Sequence, residues 1–387
     1  MHSGEFVERP PVGIIMPLAH QQGGAENLLL HWLQQGSEKY TLVCAFLQDG
    51  PMVEIARKLG LQADVIPASR LTDVSNYLRT VRELRRWMRR EKLSLVFSWM
   101  PKAHLYVAAA SLGTGIPRLW FQHGIPAPDM LNRLISRLPT DGVPCCSAAS
   151  QAAQRRLSPV DRTTVCYPGV IFPAELPTRE DARQTLGIPA EARLVGMIAR
   201  WERWKGVHVF LEAIQSSAAA FPDAIFFVAG GEHPRDPGYA AELRALADKA
   251  NLGQQLRLLG QIPSAQVPVW LSAADLIVHP VTGAEPFGMA VAEAMGTGRV
   301  VIASNSAGPA EIIQDDVNGV LVPTGDTAAL SAAIERMLTS PERLRLMGQA
   351  AYVRGRSFSV ARLSARLDEV ISQTLAGRES FGAAGHP

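Results

Sequence analysis

Two glutamates eight residues apart, Glu285 and Glu293, stand in the segment AEPFGMAVAEAMGTG. Pro286 suits the start of a helix and the glycines from 296 to 298 suit its end, so the pattern predicts one helix carrying both carboxylates. A rise of about 1.5 Å per residue separates them by ~12 Å along the axis, too far for two carboxylates attacking one glycosidic bond from opposite sides. The spacing instead suits the two ends of one extended ligand.

An anion can bind between these carboxylates. The backbone amides of Phe287, Gly288 and Met289 fall at the predicted helix start, where amides lack intrahelical acceptors. A diphosphate flanked by two hydroxyl-rich rings fits this arrangement. An isolated glutamate is ordinarily a solvated side chain, but the surrounding residues favour a binding role here.

Two cations occur in the segment ARWERWKG, which follows a predicted strand. Arg200 and Lys205 would lie at the carboxyl edge of that strand, and Lys205 is one of only six lysines in the chain. They could stabilise the negative charge of a departing nucleoside diphosphate, while the alternative is ordinary surface charge on a loop. Trp201 and Trp204 flank them and could stack on a ligand. No Asp-x-Asp pair occurs, so the sequence favours chemistry without a metal and without another cofactor.

Two weaker signals follow early strands. Gly23 and Gly24 in HQQGGAEN allow close backbone approach to a phosphate or sugar, although paired glycines before a helix are often turn residues. Neither G-x-G-x-x-G nor a P-loop motif is present, which argues against the usual dinucleotide and P-loop sites. His123 in WFQHGIPAP could hydrogen-bond a sugar hydroxyl, although a lone histidine after a strand is more often structural. The GGEHP (230–234) and GQIP (260–263) turns are candidates to face a nucleobase.

The segment 77–92, YLRTVRELRRWMRREK, is rich in arginine around an apolar stripe of Leu78, Val81, Leu84 and Trp87. One interpretation is peripheral contact with an anionic membrane. The alternative is a helix that covers a sheet with its apolar stripe and exposes its charges, and Glu83 and Glu91 favour this alternative. The sequence leaves both open.

Composition excludes several classes of protein. The chain has 387 residues, 47% of them hydrophobic, which argues against disorder and a fibrous fold. With 38 basic and 36 acidic residues, the net charge of +2 does not favour nucleic-acid binding. Four cysteines without C-x-x-C spacing predict neither a zinc site nor a disulfide framework. There is no bilayer-spanning apolar run, and the polar N-terminus has no hydrophobic signal core, so we expect a cytoplasmic protein.

Short apolar runs alternate with helical patterns from Val12 onward, which predicts an α/β protein with two doubly wound parallel sheets. We place an N-terminal Rossmann-like domain at 12–168, a Pro-rich linker at 169–181 and a second such domain at 182–355. Helices are predicted at 206–219, 239–250, 264–273, 287–296 and 327–354. A last helix follows within 358–376, and GRESFGAAGHP (377–387) is expected to be a frayed tail. Ligands of such folds bind at the carboxyl ends of strands, here in a cleft between the domains.

Together these segments resemble the retaining GT-B glycosyltransferases, specifically glycosyltransferase family 4, from about Val12 to Ala376. The most specific element is E-x7-E, here EPFGMAVAEAMGTG, followed by RVVIASNSAGPAEII and NGVLVPTGD. The resemblance implies that Glu285 contacts the donor sugar and Glu293 the ribose, and that Arg200 and Lys205 hold the diphosphate. It likewise assigns Gly23 and Gly24 to the family's glycine loop and His123 to its first-domain histidine, and it implies that the last helix crosses back onto the first domain. The linker reads YPGVIF and lacks an aspartate that the family sometimes carries there.

The implied reaction moves a sugar from a nucleoside-diphosphate sugar, by default a UDP-sugar, to a hydroxyl of a glycan, lipid-linked or small-molecule acceptor, with retention of configuration. No nucleophile for double displacement is evident, so a same-face route is favoured, with His123 and Glu285 positioning the substrate. Polysaccharide or glycoconjugate biosynthesis would be the setting. Two rivals remain open: a sugar-nucleotide epimerase of the same shape, and a catalytically idle sugar-nucleotide binding protein.

Overall fold

The structure, a computed structural model, describes residues 9–21, 23–234 and 236–383, with only the backbone described for 378–383. The chain divides into two compact units. The first extends as far as Gly169 and resumes at Val360, and the second covers Val170–Ser359. The chain therefore returns to the first unit after completing the second.

The first unit contains a sheet of five parallel strands in the order β3-β2-β1-β4-β5. A further parallel pair, β6 and β7, lies beside β5, with single bridges from Leu119 of β5 to Gly142 and from Gln122, just after β5, to Cys145. Because helices cover both faces, the central strands are almost entirely apolar. The strands are β1 Pro11–Met16, β2 Thr41–Phe46, β3 Ala63–Val65, β4 Leu95–Ser98, β5 Arg118–Trp120, β6 Val143–Cys145 and β7 Thr163–Val165.

The second unit contains six parallel strands in the order β10-β9-β8-β11-β12-β13. In both sheets the chain moves outward in one direction and then returns to the centre to continue in the other. The strand order thus reverses between β1 and β4 and between β8 and β11, and loops leaving such neighbours diverge to open a binding crevice. The strands are β8 Arg193–Ile198, β9 Ala224–Ala229, β10 Leu256–Gly260, β11 Leu276–His279, β12 Val300–Ser304 and β13 Val320–Val322.

Helices alternate with the strands, as the sequence pattern predicts. They are α1 Gly24–Gln35, α2 Pro51–Lys58, α3 Val74–Arg90, α4 Pro101–Ala110, α5 Met130–Ser136, α6 Ala148–Arg155, α7 Arg179–Leu186, α8 Val207–Ala220, α9 Tyr239–Ala250, α10 Val267–Ala273, α11 Met289–Gly296, α12 Ala307–Ile312, α13 Thr327–Leu338, α14 Pro341–Arg356 and α15 Val360–Ala383. Short 3-10 turns precede some of them, including one at Arg203–Lys205 and one at Ser264–Gln266. None of the helices described is both long and apolar enough to cross a bilayer.

The last helix, α15, completes the core of the first unit. Its buried side chains Leu363, Leu367 and Ile371 join the same apolar cluster as Trp32 of α1 and Phe97 of β4. Polar contacts add to this packing, since the Asp368 carboxylate accepts hydrogen bonds from the Ser37 hydroxyl and the Glu38 amide, and Ser364 donates to the carbonyl of Gly36. This agrees with the sequence expectation that the last helix packs on the N-terminal domain.

Two helix predictions after residue 326 are wrong. The single helix expected at 327–354 is two helices, α13 and α14, because Pro341 cannot continue the hydrogen-bonding pattern of the first and instead starts the second. The expected frayed tail from Gly377 is helical as far as Ala383, and its last four residues, 384–387, lie outside the described residues.

The Pro-rich segment 169–181 contributes side chains to the second unit. Val170 pairs with Ser359, and the ring of Phe172 lies against Gly296 and under the guanidinium of Arg356, 4.5 Å from its centroid. Helix α7 begins at Arg179. Prolines stop regular structure here, but Val170 is buried and Phe172 is partly buried, whereas Ile171 is exposed.

Candidate active site

The loop after β8 carries the two cations that the sequence singles out. It continues from Ile198 through Arg200, turns at Arg203–Lys205 and enters α8 at Val207. Gly206 makes this sharp turn with φ +76°, and a Cβ there would lie 1.8 Å from the carbonyl oxygen of Pro280. Only glycine therefore lets this loop pack against the segment that follows β11.

Lys205 and Glu285 form a buried ion pair between these two loops. The Lys205 Nζ lies 2.5 Å from Glu285 Oε2, and the same oxygen lies 3.3 Å from Nε2 of His279 at the end of β11. Burial by itself raises the pKa of Glu285, but the hydrogen bond from His279 and the charge of Lys205 outweigh it and lower the pKa to about 2. Glu285 is therefore an anion throughout the physiological range.

The backbone around Glu285 is fixed by the loop after β12. The amide of Gly308 donates to the carbonyl of Glu285 at 2.9 Å, and the Ser306 hydroxyl donates to that of Gly283. A Cβ at Gly308 would meet the backbone of Phe287 at 2.2 Å. The SAGPAEII motif named in the sequence resemblance thus positions the EPFG loop.

The two glutamates do not share a helix, contrary to the sequence prediction. Helix α11 begins at Met289, because Gly288 precedes it in a left-handed conformation with φ +98°, so Glu285 lies in the loop before it. The predicted separation of ~12 Å along one axis therefore does not apply. Phe287, expected to offer a helix-start amide, has its ring buried against Phe358 at a centroid distance of 5.4 Å.

Glu293 lies on α11, beside the same histidine. Glu293 and His279 line one small cavity together with apolar residues of β11 and α10. Within the described ranges Glu293 has no hydrogen-bond or ion-pair partner, and burial raises its pKa to about 7. A largely buried carboxyl group without a partner is poised to accept a hydrogen bond from a ligand hydroxyl.

Arg200 is held by neighbours that the sequence reasoning did not identify. Its Nη2 lies 3.3 Å from Glu202 Oε2, and its Nη1 lies 3.0 Å from Nε2 of His233. Glu202 also accepts from the indole of Trp204, whose ring lies 4.0 Å from Lys205 Nζ. Trp201, by contrast, is buried in the core of the second unit and does not lie open to stack on a ligand.

In the first unit, Trp99 brings the glycine turn and His123 together. Trp99 directly follows β4, and its indole donates to the carbonyl of Ala25, next to Gly23 and Gly24 at the start of α1. Its ring lies 4.9 Å from that of His123. Both sequence-derived candidates therefore lie at the carboxyl edge where β1 and β4 diverge.

His123 is a neutral imidazole. Burial lowers its pKa to about 3, with a hydrogen bond to the backbone of Trp99 acting in the opposite direction. The ring also contacts Phe121 at a centroid distance of 4.2 Å, and within the described part of the chain Nε2 has no hydrogen-bond partner. This buried nitrogen is suited to a ligand hydroxyl.

The structure thus groups the predicted residues by unit. Lys205 and Glu285 touch, Arg200 joins them through Glu202 and Trp204, and Gly288, Met289 and Glu293 belong to the adjoining helix start. Sequence reasoning missed Glu202, His233, His279 and Trp99. His279 and Trp99 each end a predicted strand, and the rule that selected His123 would have found them. No cluster of three metal-binding side chains occurs in the residues that the structure describes.

Comparison with known proteins gives a consistent result. Residues 178–354 match the family model for glycosyl transferases group 1, and residues 22–171 match that for glycosyltransferase family 4. A curated relative, the D-inositol 3-phosphate glycosyltransferase of Thermobispora bispora, is 28% identical over 64% of this chain and 57% of its own length. The chain therefore spans little more than half the length of such relatives.

Solved structures match nearly the whole chain. Anabaena Alr3699/HepE in complex with UDP superimposes with a TM-score of 0.81, at 22% identity over 94% of this chain and 100% of that one. Sucrose-phosphate synthase from Thermosynechococcus elongatus gives 0.78, at 21% identity over 95% of this chain and 100% of that one. These likenesses establish the fold. With both halves matched by family models, the chain belongs to glycosyltransferase family 4 and has the two Rossmann-like domains of the GT-B fold.

Proposed function

We propose that this protein transfers a sugar from a nucleoside-diphosphate sugar to an acceptor hydroxyl with retention of configuration. The observation that carries this proposal is the buried Lys205–Glu285 pair at the point where β8 and β11 diverge, with Arg200 on the same loop as Lys205. That edge is where doubly wound sheets bind ligands. The family membership of both halves supports the same conclusion.

The diphosphate would bind to Arg200 and Lys205. An ammonium group has three donors, so Lys205 can keep its bond to Glu285 and still donate to a phosphate oxygen. Arg200 can offer a planar edge to a second phosphate. As the bond to the sugar breaks, these charges stabilise the leaving group without a metal or another cofactor.

Glu285 and Glu293 would fix the sugar and the ribose. Glu285 remains ionised because Lys205 and His279 hold its charge, so it accepts hydrogen bonds from sugar hydroxyls rather than supplying a proton. We favour a same-face route in which the leaving phosphate takes the acceptor proton. Neutral His123 and the Gly23–Gly24 turn then orient the substrates, and the amides of Phe287, Gly288 and Met289 contribute to anion binding.

UDP is the proposed nucleotide. Support comes from the structural neighbour solved with UDP. The acceptor would be a glycan, a lipid-linked sugar or a small molecule, as in polysaccharide or glycoconjugate biosynthesis, and curated relatives are named for an inositol phosphate acceptor. We propose a cytoplasmic location, and the near-neutral charge does not favour a nucleic-acid partner.

Substitution of the ion pair tests the proposal. Lys205→Ala and Glu285→Ala should each lower sugar transfer by roughly 10²-fold or more, because each removes charge stabilisation from the reacting centre. Lys249→Ala, at an exposed lysine of α9, is the matched control and should retain full activity. Turnover should be measured with UDP-, GDP- and ADP-sugars on variants whose melting temperature shows that they are folded. Wild-type rates in both site variants would remove the assignment.

The rival functions separate in one incubation. A nucleotide sugar without acceptor should be slowly hydrolysed by a glycosyltransferase, whereas an epimerase would return an epimerised donor. An idle binding protein would do neither and yet raise its own melting temperature with the nucleotide.

Peripheral contact with an anionic membrane through residues 77–92 is a further part of the proposal. Leu84, Trp87 and Met88 of α3 are buried against the sheet, which accounts for most of its apolar stripe, but Leu78 is 45% exposed. Arg82, Arg86 and Arg89 are exposed on the outer face. On α5, Met130, Leu131 and Leu134 are also exposed. Exposed basic and apolar side chains thus both occur in the first unit, and such side chains suit a lipid interface.

A further inference from the structure

A buried carboxylate, that of Glu202, lies beneath the two cations of the candidate site. Its side chain is only 7% exposed. Oε2 lies 2.8 Å from the indole Nε1 of Trp204 and 3.3 Å from Arg200 Nη2, while Oε1 lies 3.0 Å from Nδ1 of His233. Three donors from three side chains therefore converge on one carboxylate, and buried charges persist only when they are paired in this way.

The contacts fix the tautomer of His233. Arg200 can only donate, so His233 Nε2, at 3.0 Å from Arg200 Nη1, must present a lone pair. The proton is then on Nδ1, which donates to Glu202. Two nitrogens of Arg200 are thus held by a closed network in which every donor meets an acceptor.

The same carboxylate also acts on the second cation. The Trp204 indole that donates to Glu202 places its ring 4.0 Å from Lys205 Nζ, in a cation–π contact. The loop after β9 closes the arrangement, since the Trp201 amide donates to the carbonyl of Gly231 and the Arg203 amide to Asp236. Glu202 therefore binds side chains from both loops: Arg200 and Trp204 of the loop after β8, and His233 of the loop after β9.

We infer that Glu202, with His233, is a positioning group that orients Arg200 directly and Lys205 through Trp204 for binding the diphosphate of the donor. This inference rests on the proposed function. Only a carboxylate can serve the network, because all three partners donate hydrogen bonds. A glutamine would turn its NH₂ group toward at least one donor and leave the cations misplaced.

Titration calorimetry with UDP and UMP tests this role. Glu202→Gln should weaken UDP binding about tenfold or more and UMP binding less than about twofold, since the misplaced cations serve the diphosphate. In an Arg200→Ala background, Glu202→Gln should weaken UDP binding by less than about a further threefold, because the effects of two residues that act through one another are not additive. Glu242→Gln, which removes the exposed partner of Arg203 on the same loop, is the control and should bind UDP normally.

A second variant covers misfolding of Glu202→Gln. His233→Asn keeps a donor toward Glu202 and removes the acceptor that faces Arg200, so UDP binding should weaken about fivefold in a folded protein. Wild-type affinity in both variants overturns the inference while the proposed function stands. The inference is also overturned if Glu202→Gln weakens UDP and UMP binding equally, or if its effect on UDP affinity adds fully to that of Arg200→Ala. Either result is what local structural damage would produce. A wild-type protein that binds none of UDP, GDP and ADP instead overturns the proposed function.

Discussion

Glu285 has its charge fixed by its neighbours. Because its pKa is depressed to about 2, ionisation stabilises the folded state above the unfolded pKa of about 4.5, and this stabilisation is lost only as the pH falls toward 2. The Lys205 pair therefore persists at every pH at which a nucleotide sugar would be bound. A substrate phosphate meets an ion pair that is already assembled, and little reorganisation is needed.

Glu293 behaves in the opposite way, which gives a pH-dependent prediction. Its pKa is raised from 4.5 to about 7, so between those values the folded state keeps a proton that the unfolded chain releases. The free energy of unfolding then falls as the pH rises through this window. Glu293→Gln should have the same free energy of unfolding as wild type near pH 4.5 and exceed it above pH 7 by about 3 kcal/mol, at ~1.4 kcal/mol per pKa unit.

Urea unfolding at pH 4.5, 6 and 8 measures this difference. Glu212→Gln, at an exposed position of α8, serves as control and should follow wild type at every pH. Parallel stability curves for wild type and Glu293→Gln would contradict the prediction. Saturating UDP should reduce the difference if the ribose binds this carboxyl group, because a ligand hydroxyl would then compensate its burial.

At the scale of elements, the site depends on loops that only glycine can form. Gly206→Ala should lower the free energy of unfolding by about 3 kcal/mol or more, since a Cβ meets the Pro280 carbonyl at 1.8 Å in a left-handed turn. Gly187→Ala separates the strain of a left-handed backbone from the steric clash, because Gly187 has φ +61° but nothing within 4 Å of an added Cβ. It should cost only about 1 kcal/mol. Equal urea midpoints for the two variants would show that packing against Pro280 is unimportant.

Helix α3 gives a second prediction at this scale. Changing exposed Arg82, Arg86 and Arg89 together to Glu should abolish sedimentation with anionic liposomes, because each basic residue contributes about 1 kcal/mol at such a surface. Arg85 is left unchanged, since it donates to the carbonyl of Leu112 and serves the fold. The control changes Arg336, Arg343 and Arg345 of the second unit to Glu, which alters the net charge by the same amount and should leave sedimentation unchanged. Undiminished sedimentation of the α3 variant would reject the membrane contact.

At the scale of the whole molecule, the first unit is built from two distant stretches of the chain. Leu367→Ala should lower its free energy of unfolding by about 2–5 kcal/mol, because this fully buried side chain of α15 fills the core beside α1. Glu369→Ala, at an exposed position on the same helix, should change it by less than about 0.5 kcal/mol. Urea unfolding followed by tryptophan fluorescence compares them. Similar midpoints would mean that α15 is dispensable to the core.

The two sheets can be predicted from the sequence, because strands buried on both faces must be continuous apolar runs separated by segments of helical periodicity. The expected alternation of short apolar strands with helices is present in both units, with seven strands described in the first and six in the second. The sequence also predicts that Arg200, Lys205 and Glu285 follow strands, since parallel strands bring their carboxyl ends to one edge. The glycines in these loops can be read from the sequence, but the backbone atoms that leave no room for a Cβ at these positions cannot.

How the site residues meet depends on contacts between loops that are distant in sequence. The start of α11 was misplaced because Gly288 adopts a left-handed turn, and the residues just before it, Glu285 and Phe287, pack against Gly308, more than twenty residues later in the chain. The ionisation of Glu285, the raised pKa of Glu293 and the convergence of Trp204, His233 and Arg200 on Glu202 arise from side chains far apart in sequence. Local periodicity carries no information about such contacts, because they depend on how separate loops fold against each other at the sheet edge.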